Sequence, residues 1–156
     1  MIYVVDTNVI SEIFKPKPHT NAIWWMQDHN ENMYLNAITI HELNFGISLL
    51  PDGKRKKSHL DRLDAITREC SDRTLPFDAF SGYLSGQLFA LARKKGRVGA
   101  VEDCMIAAIC ARHDATLATR NVKDFEVFGI DIVNPFDYES ETMQRLRRKE
   151  AARDTE

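Results

Sequence analysis

Ile2 to Val5 is a short run, apolar at every position, that stops at Asp6. Continuous apolar character over so few residues marks a strand buried on both faces of a parallel sheet. That assignment constrains the rest of the chain, because parallel neighbours need crossover connections and these are usually helices. Residues 7 to 14 read as helical and stop at Lys15-Pro16-Lys17-Pro18. Thr20 to His29 has a helical pattern, and Met33 to Asn36 reads as a second strand. Thr39 to Leu50 is an amphipathic helix, with Ile40, Leu43, Ile47 and Leu50 at three- and four-residue steps. A helix over Lys54 to Ser71 precedes a third strand over Thr74 to Phe77. Asp78 caps a long helix that runs through Lys95 and closes at Gly96. Val101 to His113 is a further helix, Thr116 to Ala118 a fourth strand, Val122 to Phe128 a short helix and Ile130 to Val133 a fifth strand. The expected class is α/β, with a central parallel five-stranded sheet covered by helices. One domain is expected over residues 1–138, followed by a polar, charged tail over 139–156.

A net charge of -2 excludes a generic basic coat for nucleic acid. Contact with a polyanion then requires local basic patches, or metal ions held over acidic side chains. Three cysteines without a CxxC pair suggest free thiols in a reducing, cytoplasmic setting. No signal peptide and no membrane-length apolar run is visible. The chain has no GxGxxG or P-loop, and His41-Glu42 fails as a zinc-protease HExxH because Phe45 holds its last position.

The informative residues are acids. Asp6 follows the first strand, at the sheet edge where α/β proteins bind ligands, and it is equally placed to cap the next helix. Glu42 shares a helical stripe with Ile38, Phe45 and Leu49, where a charge without a partner is costly; a boundary position reaching water, or pairing with His41, would relieve it. Asp103 lies in the first turn of a helix, where acids favour the dipole, on the same face as Ile106, Ala107 and Cys110; Glu102 is expected to point elsewhere. Asn121 and Asp124 follow the fourth strand, either as helix caps or as further site residues. Acids that converge repel one another until a cation binds, and magnesium or manganese prefers such oxygen ligands. Lys54-Arg55-Lys56-Lys57 is the densest basic run, with Lys94, Lys95, Arg97 and Arg120 as other candidates for RNA phosphates. Arg120 is the best placed of these, beside Asn121. Of Trp24 and Trp25, at least one is expected in the core rather than stacking on bases.

At VVDTNVISEIF, AITIHELNFGI and VEDCMIAAICARHDATLATRNVKDFEVFGIDIVNPF the chain resembles the PIN-domain nucleases, in particular the FitB-like branch of the VapC-type toxins. The resemblance spans roughly residues 1 to 137 and rests on the joint order and spacing of these stretches. It implies a type II toxin–antitoxin ribonuclease, dependent on magnesium or manganese, with Asp6, Glu42 and Asp103 as catalytic acids. Asp6 and Asp103 would be the principal metal ligands, with Thr7 and Thr119 close by. Asn121 stands where many members carry a fourth acid, so a second metal site would need Asn121 to ligate as a neutral group or Asp124 to compensate. The resemblance also implies a homodimer and a VapB-type antitoxin through which DNA is bound indirectly. The same fold used as a binding module without catalysis is the alternative. A haloacid-dehalogenase-like phosphatase would need an acid at Asn8, and a response-regulator receiver would need one after the second strand, where Asn36 stands.

Overall fold

The structure is a computed structural model that describes residues 1–97, 99–140, 144 and 145. Most of the charged tail expected over 139–156 lies outside the described residues.

Five parallel strands form the sheet: β1 (Tyr3–Val5), β2 (Met33–Asn36), β3 (Thr74–Leu75), β4 (Thr116–Ala118) and β5 (Ile132–Val133), in the order β3-β2-β1-β4-β5. Seven α-helices connect and cover them among the described residues: α1 (Thr7–Ile10), α2 (Thr20–Asp28), α3 (Ala37–Ser48), α4 (Lys54–Glu69), α5 (Ala79–Lys94), α6 (Val101–His113) and α7 (Val122–Phe125). The expected α/β class and strand count hold, and β2, α6 and β4 have their expected bounds.

Where bounds differ, a local cause is visible. Strand β3 ends at Leu75 because Pro76, which follows, has no N–H to continue a ladder. Strand β5 begins late because Gly129 turns the chain at φ 68°, a left-handed conformation that favours glycine. Helix α3 starts two residues earlier than its apolar pattern, because the Asn36 side chain caps it by accepting from the N–H groups of Ile38 and Thr39. The first and last short helices each continue as a 3-10 turn, Ser11–Phe14 and Glu126–Phe128.

Alternation along the central strands divides the core. Val5 and Ala118 face a layer holding Trp25 and Met26 of α2, Leu43 and Ile47 of α3, and Leu63 of α4. Val4 and Leu117 face the opposite layer, built on Ala92 of α5, Cys104 to Cys110 of α6, and Phe125 of α7. Both faces of the sheet are therefore dry, as its apolar strands require. Trp25 is buried and stacks on His29, so it is a core residue. All three cysteines are free, and burial pushes the Cys110 thiol up to about 12, so it is no nucleophile. No helix among the described residues is long and apolar enough to cross a membrane.

Candidate active site

Registering Val5 with Ala118 brings Asp6 and Thr119, the next residue on each strand, to one point at the carboxyl edge of the sheet. There the Thr119 hydroxyl donates to Asp6 Oδ2 over 2.6 Å, and the Asn8 amide donates to the same oxygen over 2.6 Å. The Thr7 N–H donates to Asp6 Oδ1 over 2.7 Å. Asp6 is thus both the N-cap of α1 and a carboxylate held at each oxygen, so the two readings of its sequence position coexist. Asn8 also accepts from the Arg120 N–H over 3.0 Å, which ties the β1 and β4 loops together.

Glu42 comes from the middle of α3 and accepts from the Thr7 hydroxyl through Oε2. Asp103 comes from the first turn of α6, with the Ala100 backbone N–H acting on its carboxylate. Burial pushes its pKa up to about 6, and the charges of Asp6, Asp124 and Glu42 add to the rise. Burial also raises Glu42, against the Thr7 hydrogen bond; Asp6 and Glu102 raise it further, and His41 lowers it. Asp6 is 6% exposed, and burial raises its pKa despite its three hydrogen bonds. The charges acting most strongly on Asp103 are all carboxylates.

Hydrogen bonds join Asp6 to Thr119 and Thr7, and Thr7 to Glu42, while the charges of Asp6 and Glu42 act on Asp103. Asp124 is close enough for its charge to act on Asp103. Asn121 is exposed; its backbone N–H donates to the Thr119 hydroxyl over 3.0 Å, and its side chain makes no helix-capping bond. The charge of Glu102 also raises the pKa of Glu42.

Arg120 lies apart from the carboxylate cluster. Its guanidinium lies 4.9 Å from the Phe136 ring centroid, in a separate polar cavity where its charge acts on Glu12. Of the basic run, Lys56 and Lys57 pair with Asp52 and Asp61, while Arg55 lines a cavity of about 330 Å³ together with Thr7 and Glu42. Lys54 is exposed and is not part of that wall. Asn8 is the functional residue that sequence reasoning missed, although the DTN triplet contained it.

Among the described residues, no group of three or more His, Cys, Asp or Glu side chains is arranged to hold a metal ion. The carboxylates nevertheless suit a hard cation. Magnesium keeps several waters and is held through one or two carboxylates, and repulsion within the cluster is what a cation would relieve.

Fold and site together define an α/β protein with a carboxylate pocket at the carboxyl edge of a parallel sheet. The chain belongs to the PIN domain family, whose model matches residues 3–130. The Sinorhizobium fredii protein named VapC ribonuclease Y4jK is 38% identical over 136 residues, covering 86% of this chain and 97% of that protein. Toxin FitB of Neisseria gonorrhoeae is 36% identical over 135 residues, covering 85% of this chain and 97% of the toxin. The solved structure of FitAB bound to an IR36 DNA fragment matches with a TM-score of 0.82 at 33% identity, covering 90% of this chain and 99% of that one.

Proposed function

We propose that this chain is the ribonuclease toxin of a type II toxin–antitoxin pair, hydrolysing RNA phosphodiesters at the carboxylate pocket. The observation that carries the reading is the gathering of carboxylates at the sheet edge: Thr119 bonds Asp6, Thr7 bonds Glu42, and the charges of Asp6, Asp124 and Glu42 act on Asp103. The names of the relatives, a VapC ribonuclease and a FitB toxin, support it.

Asp6 and Asp103 would hold magnesium or manganese, which supplies charge neutralisation at the phosphoryl oxygens and acidifies water. The chain's own residues set the geometry. Thr119, Asn8 and the Thr7 N–H fix both oxygens of Asp6, so a ligand at this carboxylate meets a preset orientation. Thr7 engages Glu42 Oε2 and leaves Oε1 for the attacking water. The raised pKa of Glu42 makes it a better proton acceptor than a free carboxylate. In-line attack by water leaves a 5′-phosphate and a 3′-hydroxyl. Asp124 takes the place of the missing acid at Asn121. Arg55 contacts RNA from the neighbouring cavity wall.

The partner is a VapB-type antitoxin that carries the DNA-binding function; the relative FitAB was solved on DNA. The toxin itself forms a homodimer. Incubation of antitoxin-free protein with total RNA tests the reading. Cleavage in magnesium or manganese, absent in EDTA and in Asp6→Asn, is the expected result. A folded, metal-loaded protein that leaves every RNA pool intact would move the assignment to a binding module.

A further inference from the structure

Between the β4–α7 loop and the segment preceding α2 lies an open, mostly polar cavity of about 560 Å³, lined by Glu12, Lys15, Lys17, His19, Arg120 and Phe136 among others. Glu12 at its base is buried and occupied: it pairs with Lys15 over 2.5 Å and accepts from the His19 N–H over 2.8 Å. Lys17 and Arg120 make no close ion pair among the described residues, although the charge of Arg120 also acts on Glu12, so the cavity keeps an excess of positive charge. Arg120 is held in place from two sides. Its backbone is fixed by Asn8, and its guanidinium lies over Phe136, whose other neighbour is the His19 ring at 5.1 Å. Among the described residues the guanidinium nitrogens have no hydrogen-bond acceptor, so a planar fork of donors is offered to the cavity. The first turn of α2 adds N–H groups at the same wall, with no acid in that turn and no side-chain cap.

The excess positive charge is local, because the whole chain is acidic. It also adjoins the carboxylate pocket: Arg120 follows Thr119, the residue bonded to Asp6, and Glu12 follows Asn8 by one helical turn. A fixed guanidinium fork, a free lysine and helix N–H groups together match a phosphate dianion or a phosphodiester. We propose that this cavity is a subsite for a backbone phosphate of the RNA, flanking the bond to be cut. The inference rests on the ribonuclease reading and extends it to a second contact that sets the position of the strand.

The test measures the affinity of a single-stranded oligoribonucleotide across a salt series, with calcium in place of magnesium, for the wild type, Lys17→Glu, and the Lys17→Ala/Arg120→Ala pair. Lys17 is exposed, so Lys17→Glu guards against a folding defect in the pair. The expected result is about tenfold weaker binding by the pair, with a salt slope smaller by about 1.4, since each single-strand phosphate contact contributes about 0.7. With magnesium restored, KM should rise in both variants while kcat at saturating RNA is retained. Arg120→Lys should keep the salt slope but recover only part of the affinity. Unchanged RNA affinity and slope in both variants, beside a wild type that still cuts RNA, would overturn the subsite and leave the ribonuclease reading standing. Binding of inorganic phosphate by the wild type, without any RNA defect in the variants, would make it a free-anion pocket and overturn the proposal. A loss of antitoxin affinity with RNA binding intact would overturn it in favour of a protein contact. A wild type that neither binds nor cuts RNA would remove both readings together.

Discussion

The Thr119 hydroxyl donates to Asp6 Oδ2 over 2.6 Å, joining two strands whose residues lie 113 positions apart in the chain. Thr119 is fully buried, so the bond is shielded from competing water. Asn8 reaches the same oxygen and Thr7 the other, which makes Asp6 a carboxylate whose direction is settled before any ligand arrives.

Replacing Thr119 by Val keeps the shape and removes that donor. The substitution should lower RNA cleavage about 10–100-fold, the usual cost of losing an outer partner of a metal-binding carboxylate. Stability should fall by about 1–3 kcal/mol, because Asp6 and the Asn121 N–H both lose a buried partner. Thr119→Ser should recover most of both. Steady-state cleavage and urea unfolding of the three proteins check this.

Asp103 makes the metal-free protein sensitive to pH. Its carboxyl titrates at about 6 in the folded chain against an ordinary 3.8, so the folded state holds the proton more tightly than the unfolded state. The resulting stabilisation is fully present below pH 3.8 and is lost as pH rises through about 6. Asp103→Asn cannot ionise and should not lose it. In EDTA the variant should therefore gain on the wild type between pH 5 and 7.5, by on the order of 1 kcal/mol after allowance for solvent screening. The same variant should be inactive. Urea midpoints across that pH range, compared with cleavage rates, test the pairing of gained stability with lost function.

Magnesium should reverse the order. A ligand that binds only the folded state stabilises it by about 2.7 kcal/mol at a hundred times its Kd. The wild type should therefore rise in thermal midpoint on adding magnesium at neutral pH, while Asp6→Asn and Asp103→Asn respond weakly. Thermal scans with and without EDTA decide it, and an equal response in all three would place the ion elsewhere.

The basic run should divide by position. Arg55 shares a cavity wall with Glu42, whereas Lys56 and Lys57 are already paired along α4 and Lys54 lies off that wall. Arg55→Ala should raise KM for RNA several-fold, and Lys54→Ala should leave it unchanged. Cleavage kinetics of the two variants at moderate salt distinguish them.

These expectations show which features were readable from sequence. Strands β1, β2 and β4 were legible because short apolar runs ending in Asp6, Asn36 and Thr119 allow few other structures. The same ends of strands carry the site, so Asp6 could be placed by pattern and Asp103 by its helix turn, whereas Thr119 came only with the family resemblance. The late start of β5 was not legible, because the apolar Ile130 packs into the core without joining the strand. Asn8 could not be singled out, since its role exists only once β4 lies beside β1. The direction of the Arg120 side chain was equally hidden: it depends on the Phe136 ring, which arrives from beyond β5.

The most direct test of the central claim is the chemistry of the cut ends. A defined RNA fragment would be cleaved by the wild type in magnesium, with Asp6→Asn as control, and the new termini analysed. Attack by water within the carboxylate pocket predicts a 5′-phosphate and a 3′-hydroxyl, produced only by the wild type and only with metal. A 2′,3′-cyclic phosphate, or equal cleavage by Asp6→Asn, would contradict a hydrolytic site built on Asp6.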